Sequence, residues 1–521
     1  ACHTNTGGYA NIGGGCNSTA AGDYSVVAGG QTNCSNGHHD VTGGGKNNCS
    51  GSSGCSTIAG GELNRGAECF ASIGGGCNNI GCQQVAIGGG MLNRALACDS
   101  TIGGGCNNTT TGSCAFIGGG CSLSATGANS VIVGGTMNLT TCDHSTVVGG
   151  ISAKATGALG AIVGGSRNLA SGLSAFVGSG ALNIASAKGA VAVGGRSNTA
   201  GGACGFIGGG KNNSLFGAVS ATIAGGQCNM VMGDGGVIGG GFDNTVTGEE
   251  AVVVGGRVNC AAGLYAFVGA GCFNTGSGSH SVVTGGQALS ATCAYSTAGG
   301  GCFNVAQGTG STIAGGVSGN ATGNCSFIGG GQGNQARSGE YGVVVGGDTN
   351  CAGFGHAVVV GGDTNCACAC GSVVVGGCVN KTGACVSIIG AGERNEICQG
   401  SECGGSFIGA GSHLTVGSCY FYNSIVGGVS SSISSNASAA FIGGGEMNSS
   451  GHSNTFIGAG YGLSATATSA GVAAGRNNVA SGGFSFIGGG AEQHAEGDHS
   501  VVGGGCDNIV TGCTSTIAGG C

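Results

Sequence analysis

An all-β chain, a parallel β-solenoid or β-roll of 34 short rungs, is the fold class this sequence predicts, and three observations predict it. A glycine corner, usually a Gly-Gly pair, recurs 34 times from Gly14-Gly15 to Gly519-Gly520, and 26 of the 33 steps between copies are 15 residues. Many copies place serine, a variable residue and a β-branched aliphatic shortly before the next glycines. Asparagine marks a third recurrent position. A short fixed period means that each copy is one structural unit, which buries its apolar face only by stacking on its neighbours. The expected molecule is one continuous domain over residues 1–521, with longer, irregular rungs at about 396–438.

Each copy is numbered here from the second glycine of its corner as position 1. Asn64, Asn93, Asn108, Asn138 and Asn168 then share position 4, Ser25, Ser100, Ser130 and Ser145 share position 11, and Ile102, Ile117, Ile132, Val147 and Ile162 share position 13. Serine, one residue, a β-branched aliphatic and then glycine is a short strand closed by a turn. Fifteen residues hold two such strands and two tight corners, and glycine lets the backbone turn so often. The asparagine column has two readings. Asn33-Cys34-Ser35, Asn108-Thr109-Thr110, Asn138-Leu139-Thr140 and Asn448-Ser449-Ser450 are glycosylation sequons. Recurrence at one position favours the second reading, a stacked ladder of corner asparagines that hydrogen-bond the backbone.

Position 12 carries Val26, Thr101, Val131, Thr146, Val191 and Val252, and also Phe116, Phe176, Phe206, Phe267, Phe327, Phe456 and Phe486. Adjacent strand residues point to opposite faces, so both faces of this strand are apolar or nearly so. Charge has the opposite distribution: Lys46, Arg65, Lys154, Arg196, Lys211, Asp348, Asp363 and Glu446 all fall at positions 2 to 5. At ~4.8 Å per rung, the stack would be a rod of roughly 160 Å with an apolar stripe along it. Such a stripe exceeds what a soluble monomer exposes, and it predicts lateral association with the phenylalanines at a subunit contact. A wider solenoid with a second internal sheet is the alternative.

Composition excludes several classes. Glycine supplies 127 residues, yet proline is absent and no three-residue period exists, which excludes collagen. A hydrophobic share of 40% argues against disorder, and 13 Lys plus Arg against 21 Asp plus Glu makes nucleic acid an unlikely partner. No apolar run is long enough for a membrane span or signal peptide, and the start at Ala1 fits a processed protein or a fragment of a longer one. The ten histidines lack a repeated Ser or Cys partner, and Glu249-Glu250 and Asp498 are isolated, so no catalytic constellation and no cofactor or metal site is expected.

Thirty-two cysteines without a dense Cys/His zinc pattern favour an oxidising compartment. Stacking brings equal positions within disulfide reach, which pairs Cys34 with Cys49, Cys106 with Cys121, Cys351 with Cys366, Cys370 with Cys385, and Cys506 with Cys521. Cys368 is left over. The run Cys366-Ala367-Cys368-Ala369-Cys370 puts three sulfurs on one face, fit for disulfides or for a soft metal. Around 396–438, Cys398, Cys403, Cys419, Tyr420, Phe421 and Tyr422 predict a protruding aromatic bump.

The strings Asn129-Ser130-Val131-Ile132-Val133-Gly134, Ser326-Phe327-Ile328-Gly329 and Ala125-Thr126-Gly127 resemble the YadA-like head repeats of trimeric autotransporter adhesins. The resemblance covers nearly every repeat. It implies a left-handed β-roll that forms trimers, and an extracellular, fibrous, adhesive role. Nothing in the chain resembles that family's coiled-coil stalk or membrane anchor. The two ends have matching register, which predicts head-to-tail stacking with Cys2 joined to Cys521 of a neighbour. The functional expectation is an extracellular or surface structural fibre whose partner is itself; a trimeric surface or tail-fibre adhesin with a ligand on the polar face is the alternative.

Overall fold

Two corners in each repeat turn the backbone, and between them lie two strands of two residues, at positions 5–6 and 12–13. Thr19–Ala20 and Val26–Val27 form one such rung. The computed structural model describes residues 2–337, 339–398, 404–417 and 421–521. The protein is a parallel β-solenoid of about 34 turns with a period near 15 residues and, among the described residues, no helix. It divides into two compact units, Ala1–Val258 and Asn259–Cys521.

In Ala1–Val258 the first strands pair in parallel and in register, Thr4 with Thr19, Thr19 with Cys34, and Cys34 with Cys49. The second strands do the same, Asn11 with Val26 and Val26 with Val41. A third line of bridges runs along position 2, through Cys16, Gln31, Lys46 and Glu62. Asn259–Cys521 repeats the scheme, with Cys260 on Thr275 and Phe267 on Val282. There the second ladder lengthens locally to Phe441–Glu446, Phe456–Tyr461 and Gly471–Arg476.

Alternation along the strands decides what is buried. Position 13 points inward: Val27, Ile58, Ile102 and Ile132 in the first unit, and Val283, Ile313, Ile389 and Ile457 in the second, are fully buried. Each contributes about 1.5–3 kcal/mol of hydrophobic stabilisation. Small residues face them from position 6, among them Ala20, Ala95, Ala125, Ala291, Ala321 and Ala367. The core is one side chain thick, so volume must balance locally. Leu215 at position 6 is matched by Gly205 at position 11, where a Cβ would lie 2.7 Å from the Leu215 Cδ1.

The asparagine column is a structural ladder. Asn198 is fully buried, and its Nδ2 donates to the carbonyls of Gly194 at 2.8 Å and Gly210 at 3.0 Å. Its Oδ1 accepts the backbone N–H of Asn213 at 3.0 Å, and Asn213 repeats the pattern one rung on. The sequon asparagines Asn33, Asn108, Asn138 and Asn448 sit in this ladder, closed to a glycan. Where leucine replaces asparagine the clamp is missing and the corner opens: the position 1 glycine widens to φ +129° at Gly120 and +123° at Gly286, against +88° at Gly210.

Position 11 places hydroxyls in the same dry interior. The Oγ atoms of Ser25, Ser281 and Ser311 have no hydrogen-bond partner, although an unsatisfied buried hydroxyl is costly. Alanine already occupies the position in Ala251 and Ala266. Ser281→Ala is therefore expected to leave its rung unchanged or more stable by up to about 1 kcal/mol. Hydrogen exchange of the Phe267 amide, which donates to the Ser281 carbonyl, reads this; faster exchange in the variant would contradict it.

The longer steps leave the ladders intact. Glu396 pairs with Thr415 and Phe407 with Ser424, so the additional residues lie between paired strands. Cys403, Cys419 and Tyr420 lie outside the described residues. The neighbouring Phe421 and Tyr422 rings are 5.9 Å apart, and both are exposed.

Candidate interaction face

Because position 13 points inward, position 12 points outward, and so does position 14. No residue at position 12 or 14 is charged in any rung. Phe116, Phe206, Phe267, Phe327, Phe456 and Phe486 are 36–44% exposed, and Phe176 is half-buried. The residues expected at a subunit contact thus lie on one outward strip in each unit.

This strip has an internal rule that the sequence expectation missed. Phenylalanine occurs nine times at position 12, and each time glycine stands at position 14, as in Phe116-Ile117-Gly118 and Phe486-Ile487-Gly488. Several of these rings lie over that glycine: Phe116 Cε1 is 3.5 Å from where a Gly118 Cβ would be, and Phe206 over Gly208 and Phe267 over Gly269 repeat the distance, whereas the Phe486 ring lies against Gly471 on the preceding rung, its Cδ2 3.0 Å from where a Cβ would be. Where position 12 carries the smaller valine, position 14 often carries valine too, as in Val131/Val133, Val191/Val193, Val252/Val254 and Val358/Val360. Glycine at position 14 also accompanies small residues at position 12, as in Ser72/Gly74, Ala86/Gly88 and Thr101/Gly103, and the atom nearest to a Cβ there is the next rung's carbonyl oxygen, 2.5 Å away at Gly118.

The opposite corner carries aromatic stacks at position 10, where non-glycine residues adopt positive φ, +57° at Tyr24 and +57° at His39. Rings one rung apart stack at about 5 Å: Tyr9 on Tyr24, Tyr24 on His39, Tyr265 on His280, His280 on Tyr295, Tyr341 on His356 and Phe484 on His499. Four of the ten histidines that look scattered along the sequence, His39, His280, His356 and His499, are members of these ladders. Each ring face covers its neighbour, which suits local stabilisation. On the polar side, a shallow groove of about 590 Å³ in the first unit is lined by Met137, Ser152, Lys154, Arg167, Asn168, Leu169, Leu182 and Ile184.

The cysteines divide. Cys34 and Cys49 are disulfide-bonded across adjacent rungs, with Cα atoms 4.5 Å apart. The expected Cys351–Cys366 pairing is corrected: Cys366 bonds Cys368, two residues on along the same strand face, at 5.5 Å, and Cys351 is a free thiol. Cys368 is accordingly not left over. Cys106 and Cys121 face each other across one rung with both thiols free, and Cys370, Cys385, Cys506 and Cys521 are free as well. Equivalent side chains on parallel rungs run side by side at the ~4.8 Å rung spacing, wider than the ~3.8 Å Cβ separation of a disulfide. Register alone therefore does not close the bond. Cys2 is an exposed thiol.

Burial pushes the Cys260 and Cys351 thiols above the ordinary range, with Arg337 opposing the shift at Cys351. The thiolate is the reactive form. Alkylation near pH 8 is therefore expected to label the exposed Cys55 and Cys114 before the half-buried Cys260 and Cys351, with the latter two catching up as pH rises. Equal rates across the four, resolved by peptide mapping, would contradict this. The described residues contain no cluster of three or more His, Cys, Asp or Glu placed to hold a metal ion, and no helix long and apolar enough to cross a membrane. The sequence matches no protein-family model and no curated protein.

Proposed function

We propose that this chain is a structural subunit of an extracellular fibre, without catalytic function, that associates laterally with copies of itself through the apolar strip at positions 12 and 14. The observation that carries the reading is that this outward strip is uncharged in every rung and exposes phenylalanines in both units, more apolar surface than a chain on its own usually leaves in water. Seventeen rungs of one unit at ~4.8 Å, with a strip about 10 Å wide, offer roughly 800 Å², which is what each partner of a stable interface contributes. The resemblance to YadA-like head repeats agrees with lateral association and favours three chains.

Sedimentation of the full chain, with electron microscopy of the same sample, tests the reading. The expected result is elongated multi-chain particles at micromolar concentration. A 48.5 kDa species that stays single at all accessible concentrations would exclude it. The adhesin reading draws on one observation, the groove around Lys154 and Arg167 on the polar side. It requires a ligand retained by the wild type and lost on Lys154→Glu.

A further inference from the structure

Each unit carries one stack of two like charges at position 2. In Ala1–Val258 it is Arg196 facing Lys211 on the next rung, and in Asn259–Cys521 it is Asp348 facing Asp363. All four side chains are exposed. Opposite charges on adjacent rungs do pair in this protein, Lys46 with Glu62 at 3.7 Å and Lys381 with Glu396 at 3.0 Å. Among the described residues, neither stack has an ion-pair partner. Asp348 and Asp363 accept only the hydroxyls of Thr349 and Thr364 among the side chains that bond their carboxylates at under 3 Å. The cationic stack lies in a stretch, residues 144–233, with five Lys and Arg and no Asp or Glu, inside a chain of net charge −8.

Like charges directly opposite each other across a ladder repel. Two such stacks of opposite sign, at the same position and with the same one-rung spacing, are complementary in sign and geometry. We propose that the Arg196/Lys211 stack of one copy docks on the Asp348/Asp363 stack of a second copy. Equal spacing lets both pairs form together, and a slip of one rung leaves one pair and two unmatched charges. The contact therefore fixes the axial register between the two copies it joins. Arg196 supplies a planar fork suited to a carboxylate. This contact lies on a different face from the strip at positions 12 and 14 and is independent of it.

The test is sedimentation of the full chain at low and high salt, with R196E/K211E, D348K/D363K, their mixture, and all four substitutions in one chain. Each double variant is expected to weaken association by about tenfold and to lose its salt dependence. Mixing the two double variants, or combining them in one chain, restores both. A double variant that associates like the wild type overturns the proposal, and so does a mixture no better than its parts. Loss with R196E/K211E but not with D348K/D363K means that the cations meet some other anion, and also overturns it. Retained β-sheet circular dichroism shows that each variant folds, and R196Q/K211Q replaces any that does not. Failure of the apolar strip reads differently, because that association does not weaken as salt rises.

Discussion

Replacing Gly210 with alanine is expected to break the solenoid locally, whereas the same change at the adjacent Gly209 is expected to be tolerated. Gly210 opens its rung at φ +88°, and a Cβ there would lie 2.0 Å from the Gly226 carbonyl oxygen. That oxygen is already committed, accepting from the Lys211 amide at 2.9 Å and from Asn213 Nδ2 at 3.0 Å. Alanine must take up a left-handed conformation, at about 1–2 kcal/mol, and push two backbones apart, at about 1–3 kcal/mol. A Cβ on Gly209 meets nothing within 4 Å. Because rungs hold only their neighbours, the damage stays local rather than unfolding the chain. Hydrogen exchange of the Lys211 and Arg196 amides should quicken by about 30-fold or more in Gly210→Ala and stay near wild type in Gly209→Ala. Equal effects at the two positions would contradict this account of the corner.

Phe176→Asp, Phe206→Asp and Phe267→Asp in one chain are expected to dissociate the assembly while preserving the β-sheet signal. Within a single chain these rings are already partly in water, Phe206 lying over Gly208 and Phe267 over Gly269. Their loss changes the fold little, since surface substitutions usually stay within about 0.5 kcal/mol. At an interface they would be aromatic anchors, each worth about 2 kcal/mol or more, and aspartate would add an unpaired buried charge. Dissociation constants should rise at least about a thousandfold. If the variant sediments like the wild type, the strip is not the contact.

The repeat made the rung architecture legible, because a glycine every 15 residues leaves no room for anything but short strands and corners. The strand ending at position 13 was visible from its serine and aliphatic residues. The one at positions 5–6 was not: its outward residue varies freely among Thr19, Cys34, Arg65, Lys154 and Glu396, and its inward residue is usually a small alanine. The asparagine ladder was readable from recurrence alone. Cys34–Cys49 followed from rung spacing, but Cys366 had a second partner in Cys368 on its own strand face, which a column-by-column reading ignores. The pairing of each position-12 phenylalanine with a position-14 glycine required comparing those positions across copies, since the chain serves as its own alignment. No single repeat reveals it.

Hydroxyl-radical footprinting of the assembled protein tests the lateral contact most directly, because the chain carries its own controls. Phe273, Phe303 and Phe484, away from the strip, are 53–58% exposed, against 36–44% for the exposed phenylalanines of position 12. In a chain that stays alone, the two sets should be oxidised at rates differing no more than those exposures do. If the strip is the contact, Phe206, Phe267 and Phe327 should be protected by about tenfold or more while Phe273, Phe303 and Phe484 react freely. Oxidation of both sets in proportion to exposure, in a sample shown to be assembled, would place the contact elsewhere on the solenoid.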